Sequence, residues 1–246
     1  MMKEKAIYRN HHHYIKEGWS AEPKEFFKSI LEILVDRKKP LVSNIIDVGC
    51  ATGEFINFLK NNMPNTEFVG VDIAEELLVE ARERLPDEKF IRLSALELDT
   101  DIGQFDTVLA LGCMSIFDDD ELEIFWSNLV KICKPGGLII VFSPLNKFGV
   151  DALIKHRKRT DAQLGSWEKG WNIYSIETVT DILASLKLSL ETRRFRLPFN
   201  MEKGTDPIRT WTIETEYDQF QLTNGLQLLV EHYFMIVDVP KNYLSR

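Results

Sequence analysis

Between residues 44 and 142, short apolar runs alternate with amphipathic stretches of helical period. No other feature limits the fold of this chain so strongly. The apolar runs are Asn44-Ile45-Ile46-Asp47-Val48 and the segments 67–71, 90–93, 105–111 and 138–142. Segments 54–62, 74–85 and 118–131 lie between them and read as helices. Strands alternating with helices predict a mostly parallel, doubly wound α/β sheet with helices on both faces. Residues 105–111 are apolar almost throughout, as a strand buried on both sides requires. Asp118 and Glu121 have capping-box spacing, and Pro135-Gly136-Gly137 reads as the turn into the fifth strand.

Outside this core the expectations are less regular. Ser20 is the expected N-cap of a first helix that carries Phe26, Phe27, Ile30, Leu31, Leu34 and Val35 and stops at Pro40. After Pro144 the periodicity fades through residues 146–174. A helix is expected at 176–186, with strands at 188–195, 210–215 and 220–222. An Asn224-Gly225 turn, a short helix at 226–231 and a last strand at 233–239 complete the reading. No repeat or low-complexity linker interrupts the chain, so residues 1–246 are read as one domain. Its parts are an N-terminal cap and first helix (1–40), a core (44–143) and two substrate-side insertions (144–174 and 196–230).

Hydrophobic residues make up 44% and charged residues 28%, ordinary for a soluble globular protein. No run approaches the roughly 20 apolar residues of a membrane span, and residues 1–10 lack the apolar centre of a secretory signal. Cys50, Cys113 and Cys133 all fall in apolar segments, which fits a reducing, cytoplasmic setting. A net charge of −8 argues against nucleic acid as a partner. Two basic clusters stand against that background: Lys155, Arg157, Lys158 and Arg159, and Arg193, Arg194 and Arg196. They read either as solvated faces or as a site for an anionic small molecule such as a substrate diphosphate.

The chemistry is concentrated in Asp47-Val48-Gly49-Cys50-Ala51-Thr52-Gly53-Glu54. A buried strand ends in a glycine turn and feeds a helix, so backbone can approach a ligand closely and helix N–H groups face it. Asp72 ends the next strand, where nucleotide-binding α/β folds hold ribose hydroxyls. Dinucleotide sites use G-x-G-x-x-G, whereas here the spacing is Gly49-x-x-x-Gly53, which disfavours a nicotinamide oxidoreductase. No Gly-Lys-Ser/Thr follows, which excludes a phosphate-binding P-loop.

These segments resemble the successive motifs of class I, seven-strand S-adenosylmethionine (SAM)-dependent methyltransferases: Asp47 to Gly53, Val-Gly-Val-Asp72, residues 105–111, and Lys134-Pro-Gly-Gly-Leu-Ile-Ile. The resemblance implies a seven-stranded sheet, SAM as cofactor and S-adenosylhomocysteine as product. It implies that Asp47, Gly49, Cys50 and Gly53 surround the methionine part and that Asp72 holds the ribose. Ala95 and Leu96 would flank the adenine, in a loop where many members carry Asp. Leu111, Gly112 and Cys113 would lie beside the sulfonium. The segment at 233–239 would be the family's antiparallel strand between strands five and six, and Tyr14 would line the methionine end. Trp167-Glu-x-Gly-Trp-Asn-x-Tyr-Ser, Asp206-Pro-x-Arg-Thr-Trp-Thr and Thr223-Asn-Gly-Leu are similar to a subgroup from bacterial polysaccharide and modified-sugar pathways. That points to O-methylation of a sugar or sugar nucleotide.

A sugar hydroxyl is a weak nucleophile, and a general base would add on the order of 10²–10⁴-fold. His11, His12, His13, His156 and His232 are the histidines available, and His13 is the candidate base. Asp118-Asp119-Asp120 reads as helix capping, so no metal is expected. Trp167, Trp171, Trp211 and Tyr217 are packing residues or sugar-stacking faces. The strand at 210–215 is a lid or a homodimer contact. N- or carboxyl-methylation of another small metabolite, and SAM binding without turnover, remain alternatives.

Overall fold

The computed structural model describes residues 14–15, 18–37, 44–160, 163–206 and 208–243. Its central sheet contains β1 (Asn44–Val48), β2 (Glu67–Asp72), β3 (Lys89–Arg92), β4 (Phe105–Leu111), β5 (Cys133–Asn146), β6 (Glu191–Arg194) and β7 (His232–Asp238). Their order across the sheet is β3-β2-β1-β4-β5-β7-β6. β1 to β5 pair in parallel, while β7 is antiparallel to both of its neighbours. Tyr174–Ser175 adds a short parallel strand against the end of β5.

Among the described residues, the helices that cover the sheet are α1 (Glu25–Asp36), α2 (Glu54–Asn62), α3 (Glu75–Arg84), α4 (Asp119–Ile132) and α5 (Ile176–Ser185). Strand residues alternate between two cores, as pleating dictates. Ile46, Val108, Ile139, Val141, Met235 and Val237 face a core closed by Phe125, Trp126 and Leu129 of α4 and by Val179 and Leu183 of α5. Ile45, Leu109, Leu138, Ile140, Phe234 and Ile236 face a second core, closed by Phe27, Ile30 and Leu34 of α1, Phe55 and Leu59 of α2, and Leu78 and Ala81 of α3. The doubly wound α/β fold follows from this two-sided burial. Small antiparallel ladders in the C-terminal third add a sheet of Trp211–Ile213, Gln221–Thr223 and Leu229–Val230.

Three local expectations are corrected. Residues 226–231 are not helical: Leu229–Val230 is a strand. The Asn224 side chain accepts the Leu226 N–H at 3.0 Å, Gln227 takes a positive φ of 59°, and Gln221 donates to the Val230 carbonyl at 3.0 Å. Ser20 does not cap the first helix, whose N-cap is Lys24; its N–H donates to Glu54 Oε1 at 2.8 Å. Pro135-Gly136-Gly137 lies within β5. Pairing with β4 jumps there from Phe105–Cys133 to Thr107–Leu138, and Gly136 donates to the Val239 carbonyl at 2.9 Å.

Candidate active site

β1 and β4 are neighbours, but the chain leaves β1 toward β2 on one side and returns to β4 on the other. Ligands of open α/β sheets bind at the strand carboxyl ends where the order reverses in this way. A cleft of about 530 Å³ occupies that position. Gly49 and Ala51 after β1, Asp72 to Leu77 after β2, Arg92 to Ala95 after β3 and Leu111 to Cys113 after β4 line it. Tyr14, Lys24, Phe26, Phe142, Trp171 and Arg209 face them from the N-terminal segment, β5 and the insertions.

The turn after β1 shows why its glycines are needed. Gly49 has φ +80°, and an added Cβ would stand 3.2 Å from Cys113 Cβ. Its N–H donates to the Val71 carbonyl at 2.8 Å, which locks the turn onto β2. Gly53, at φ +78°, begins α2 without a side-chain cap. Ala51 is also left-handed, at φ +47°, and Trp171 at φ +67°. Both of these strained non-glycine residues line the cleft.

Asp72 connects the glycine turn to the start of α3. One carboxylate oxygen accepts the Ala51 N–H at 3.0 Å and the other accepts the Ala74 N–H at 2.9 Å. Asp47 is buried beneath the turn, and its Oδ1 has no hydrogen-bond partner among the described residues. Burial, reinforced by the Asp72 charge, pushes its pKa up to about 7. Burial likewise raises the Cys113 thiol, so the sulfur beside the cleft is a neutral packing group and not a nucleophile.

The N-terminal segment is fastened across the start of α2. Trp19 Nε1 donates to the Thr52 carbonyl at 3.2 Å and to Thr52 Oγ1 at 3.1 Å. The Arg84 guanidinium lies 4.8 Å from the Trp19 ring centroid, and Lys24 pairs with Glu54. Phe26 stacks on Phe142, with ring centroids 4.8 Å apart, and both face the cleft. His232 stacks against Phe142 at 5.2 Å. Burial lowers its pKa to about 4, so its imidazole is neutral at neutral pH.

Of the residues expected at the site, Tyr14, Gly49, Asp72, Ala95 and Leu111 line the cleft, together with Gly112 and Cys113. Asp47, Cys50 and Gly53 are not among the lining residues. Leu96 packs against the core, and its N–H donates to Ser94 Oγ at 3.2 Å. His11, His12 and His13 lie outside the described residues. His156 and His232 do not line the cleft. Neither basic cluster lines it either: Lys158 pairs with Asp206, Arg193 with Glu191 and Arg194 with Asp218 and Glu231. Asp118 caps α4 as expected and pairs with Lys169. Sequence reasoning missed Lys24, Phe26, Arg92 and Phe142 as cleft residues, while Trp171 and Arg209 stood in the quoted C-terminal motifs.

Residues 46–139 match a family model described as a methyltransferase domain. Trans-aconitate 2-methyltransferase of Variovorax paradoxus (strain S110) is 31% identical over 117 residues, covering 47% of this chain and 44% of that protein. Phosphatidylethanolamine N-methyltransferase of Cereibacter sphaeroides is 28% identical over 147 residues, 55% of this chain and 66% of that one. The chain spans 44% to 64% of the length of the first curated relatives it matches. Among solved structures, a SAM-dependent methyltransferase from Clostridium acetobutylicum ATCC 824 superposes with a TM-score of 0.61 at 14% identity, covering 93% of this chain and 97% of that one. Residues 46–139 thus match a methyltransferase domain, and the sheet around them has the fold of the Clostridium acetobutylicum structure.

Proposed function

We propose that this chain binds SAM in the cleft and transfers its methyl group to a small acceptor that carries an acid group. The observation that carries the reading is the joining of the glycine turn to the carboxylate of Asp72, at a cleft on the sheet's switch point. The fit is supported by the close approach allowed at Gly49 and by a volume inside the range of about 300–1,000 Å³ usual for ligand sites. The unpartnered oxygen of Asp47 beneath the turn supports it as well. Asp72 would hold the ribose hydroxyls, Ala95 would edge the adenine, and Gly49, Leu111 and Gly112 would run along the methionine part. Asp47, Cys50 and Gly53 would shape that subsite from behind.

When bound, the cofactor supplies a methyl carbon activated by a positive sulfur. The chain's own residues must align the acceptor with it, and such orientation contributes about 7–11 kcal/mol. Phe26 and Phe142, stacked on each other, form an apolar wall of the cleft, which Tyr14 also lines. Arg209, 5.9 Å from the Tyr14 ring centroid, would bring positive charge to the acceptor. A carboxylate acceptor is already ionised at neutral pH and needs no base, so charge and alignment suffice. The likeness to an enzyme named for trans-aconitate supports an acid acceptor.

O-methylation of a sugar hydroxyl is the second reading. Trp171 favours it, because its indole lines the cleft where a sugar ring would stack. That reading requires a base, and His13 is the candidate for it.

Calorimetric titration with SAM, S-adenosylhomocysteine and NAD tests the cofactor: micromolar binding of the first two and none of NAD is expected. NAD binding alone, or no binding, would remove the proposal. An acceptor panel of small carboxylic acids and sugar nucleotides then separates the two readings. A base-labile methyl ester is the expected product, whereas a base-stable ether would move the assignment to the sugar hydroxyl.

A further inference from the structure

Residues 152–173 fold back on themselves as a two-stranded ribbon. Ala152 bridges Ile173, Lys155–His156 pairs with Glu168–Lys169, and Arg159–Thr160 pairs with Gln163–Leu164. Exposure alternates along its first strand. Leu153, Lys155, Arg157 and Arg159 are exposed, whereas Ile154 and Lys158 are half-buried and His156 is buried. The inner side is fastened to the rest of the protein. Lys158 pairs with Asp206 at 3.3 Å, the Ile154 N–H donates to Asn172 Oδ1 at 2.7 Å, and Asn172 donates to the Phe117 carbonyl at 2.7 Å.

The outer side has a different chemistry. The Arg157 guanidinium lies 4.7 Å from the ring centroid of Trp167, which is 59% exposed, and Leu153 is 53% exposed. Three cations, an indole and an aliphatic side chain therefore share one face. Asp151 at its base is the acid of that face on the first strand, and Lys169, opposite Lys155 on the second, is paired with Asp118. The chain as a whole carries a net charge of −8, so this face is complementary to an anionic surface that the remainder repels.

We propose that the outer face of this ribbon docks the protein on an anionic lipid bilayer. A protein interface usually engages about 20–30 residues a side, far more than the outer face of the ribbon offers. A bilayer sets no such requirement: lysine and arginine are drawn to anionic headgroups, and tryptophan settles at headgroup level. Trp171, four residues beyond Trp167, lines the cleft. Docking the ribbon thus brings the rim of the cleft toward the headgroup region. The inference does not depend on which acceptor is methylated.

Flotation of the full chain with phosphatidylcholine vesicles, and with vesicles of equal parts phosphatidylcholine and phosphatidylglycerol, tests it. The protein should float with the anionic vesicles only, and the bound fraction should fall as ionic strength rises. The combined variant Lys155→Glu, Arg157→Glu, Arg159→Glu should lose at least about tenfold in vesicle affinity. Trp167→Ala should weaken binding with less change in its salt dependence. Calorimetric SAM binding, unchanged in both variants, verifies that they fold. Failure to float with anionic vesicles, or undiminished flotation of the triple variant, overturns the proposal. So does retention on a soluble acidic polypeptide without flotation, which would assign the face to a protein partner.

Discussion

Asp72 ties the glycine turn to the start of α3 through the N–H groups of Ala51 and Ala74, so its loss should loosen both walls of the cleft at once. Asp72→Ala is expected to lower SAM affinity at least tenfold, on the order of 1.4 kcal/mol or more, by calorimetry. Unaltered affinity would detach this carboxylate from the cofactor. Two other residues make stability depend on pH with opposite signs. Asp47 has a folded pKa of about 7, against about 3.9 for an unfolded chain, so it destabilises the fold as pH rises across that interval. His232 has a folded pKa of about 4, against about 6.5 unfolded, and it destabilises the fold as pH falls across that interval. Relative to the parent, Asp47→Asn should therefore gain melting temperature progressively from about pH 4 to about pH 7. His232→Phe should gain it progressively from about pH 6.5 down to about pH 4. Scanning fluorimetry without cofactor measures both, and a constant offset across the pH range would contradict the assignments.

At the scale of elements, contacts distant in sequence set the site. Trp19 and Thr52 are 33 residues apart, and their bond holds the N-terminal segment over the turn that begins α2. Trp19→Phe retains the ring but loses the donor. It should cost about 1 kcal/mol in urea denaturation and weaken SAM binding, because Thr52 belongs to the glycine turn. If both quantities match the parent, the clamp has no role. Asp118→Ala removes one half of a capping box and the partner of Lys169, for a loss of about 1–2 kcal/mol by the same measurement. Elements of this kind divide by how locally they are encoded. β4 and the capping box were legible because an apolar run and a three-residue spacing are properties of neighbours. The glycine turn and Asp72 were legible for the same reason. The segment at 226–231 was not, because its fate is decided by Gln221, Asn224 and a positive φ at Gln227. The ribbon escaped notice because its inner face is itself polar, with His156 buried and Lys158 facing Asp206, a partner that only the folded chain supplies. Lys24 and Phe26 became cleft residues through the packing of α1, which no local pattern announces.

For the whole molecule, the cleft is walled by segments from almost the full length of the described chain, from Tyr14 to Arg209. A ligand bridging them should stabilise the fold globally. S-adenosylhomocysteine at 100 times its dissociation constant would add about 2.7 kcal/mol, seen as a single, sharper and higher thermal transition. A second, unshifted transition would mean that part of the chain unfolds independently of the site. β7 is hydrogen-bonded along both of its edges, between β5 and β6, yet it follows both of them in the chain. During synthesis β6 leaves the ribosome with its place in the sheet still separated from β5 by an empty lane. Only when residues 232–238 emerge can that lane be filled. Until then, the edges of β5 and β6 must be kept from other chains, and a ribosome stalled before residue 232 would carry a nascent chain prone to aggregation.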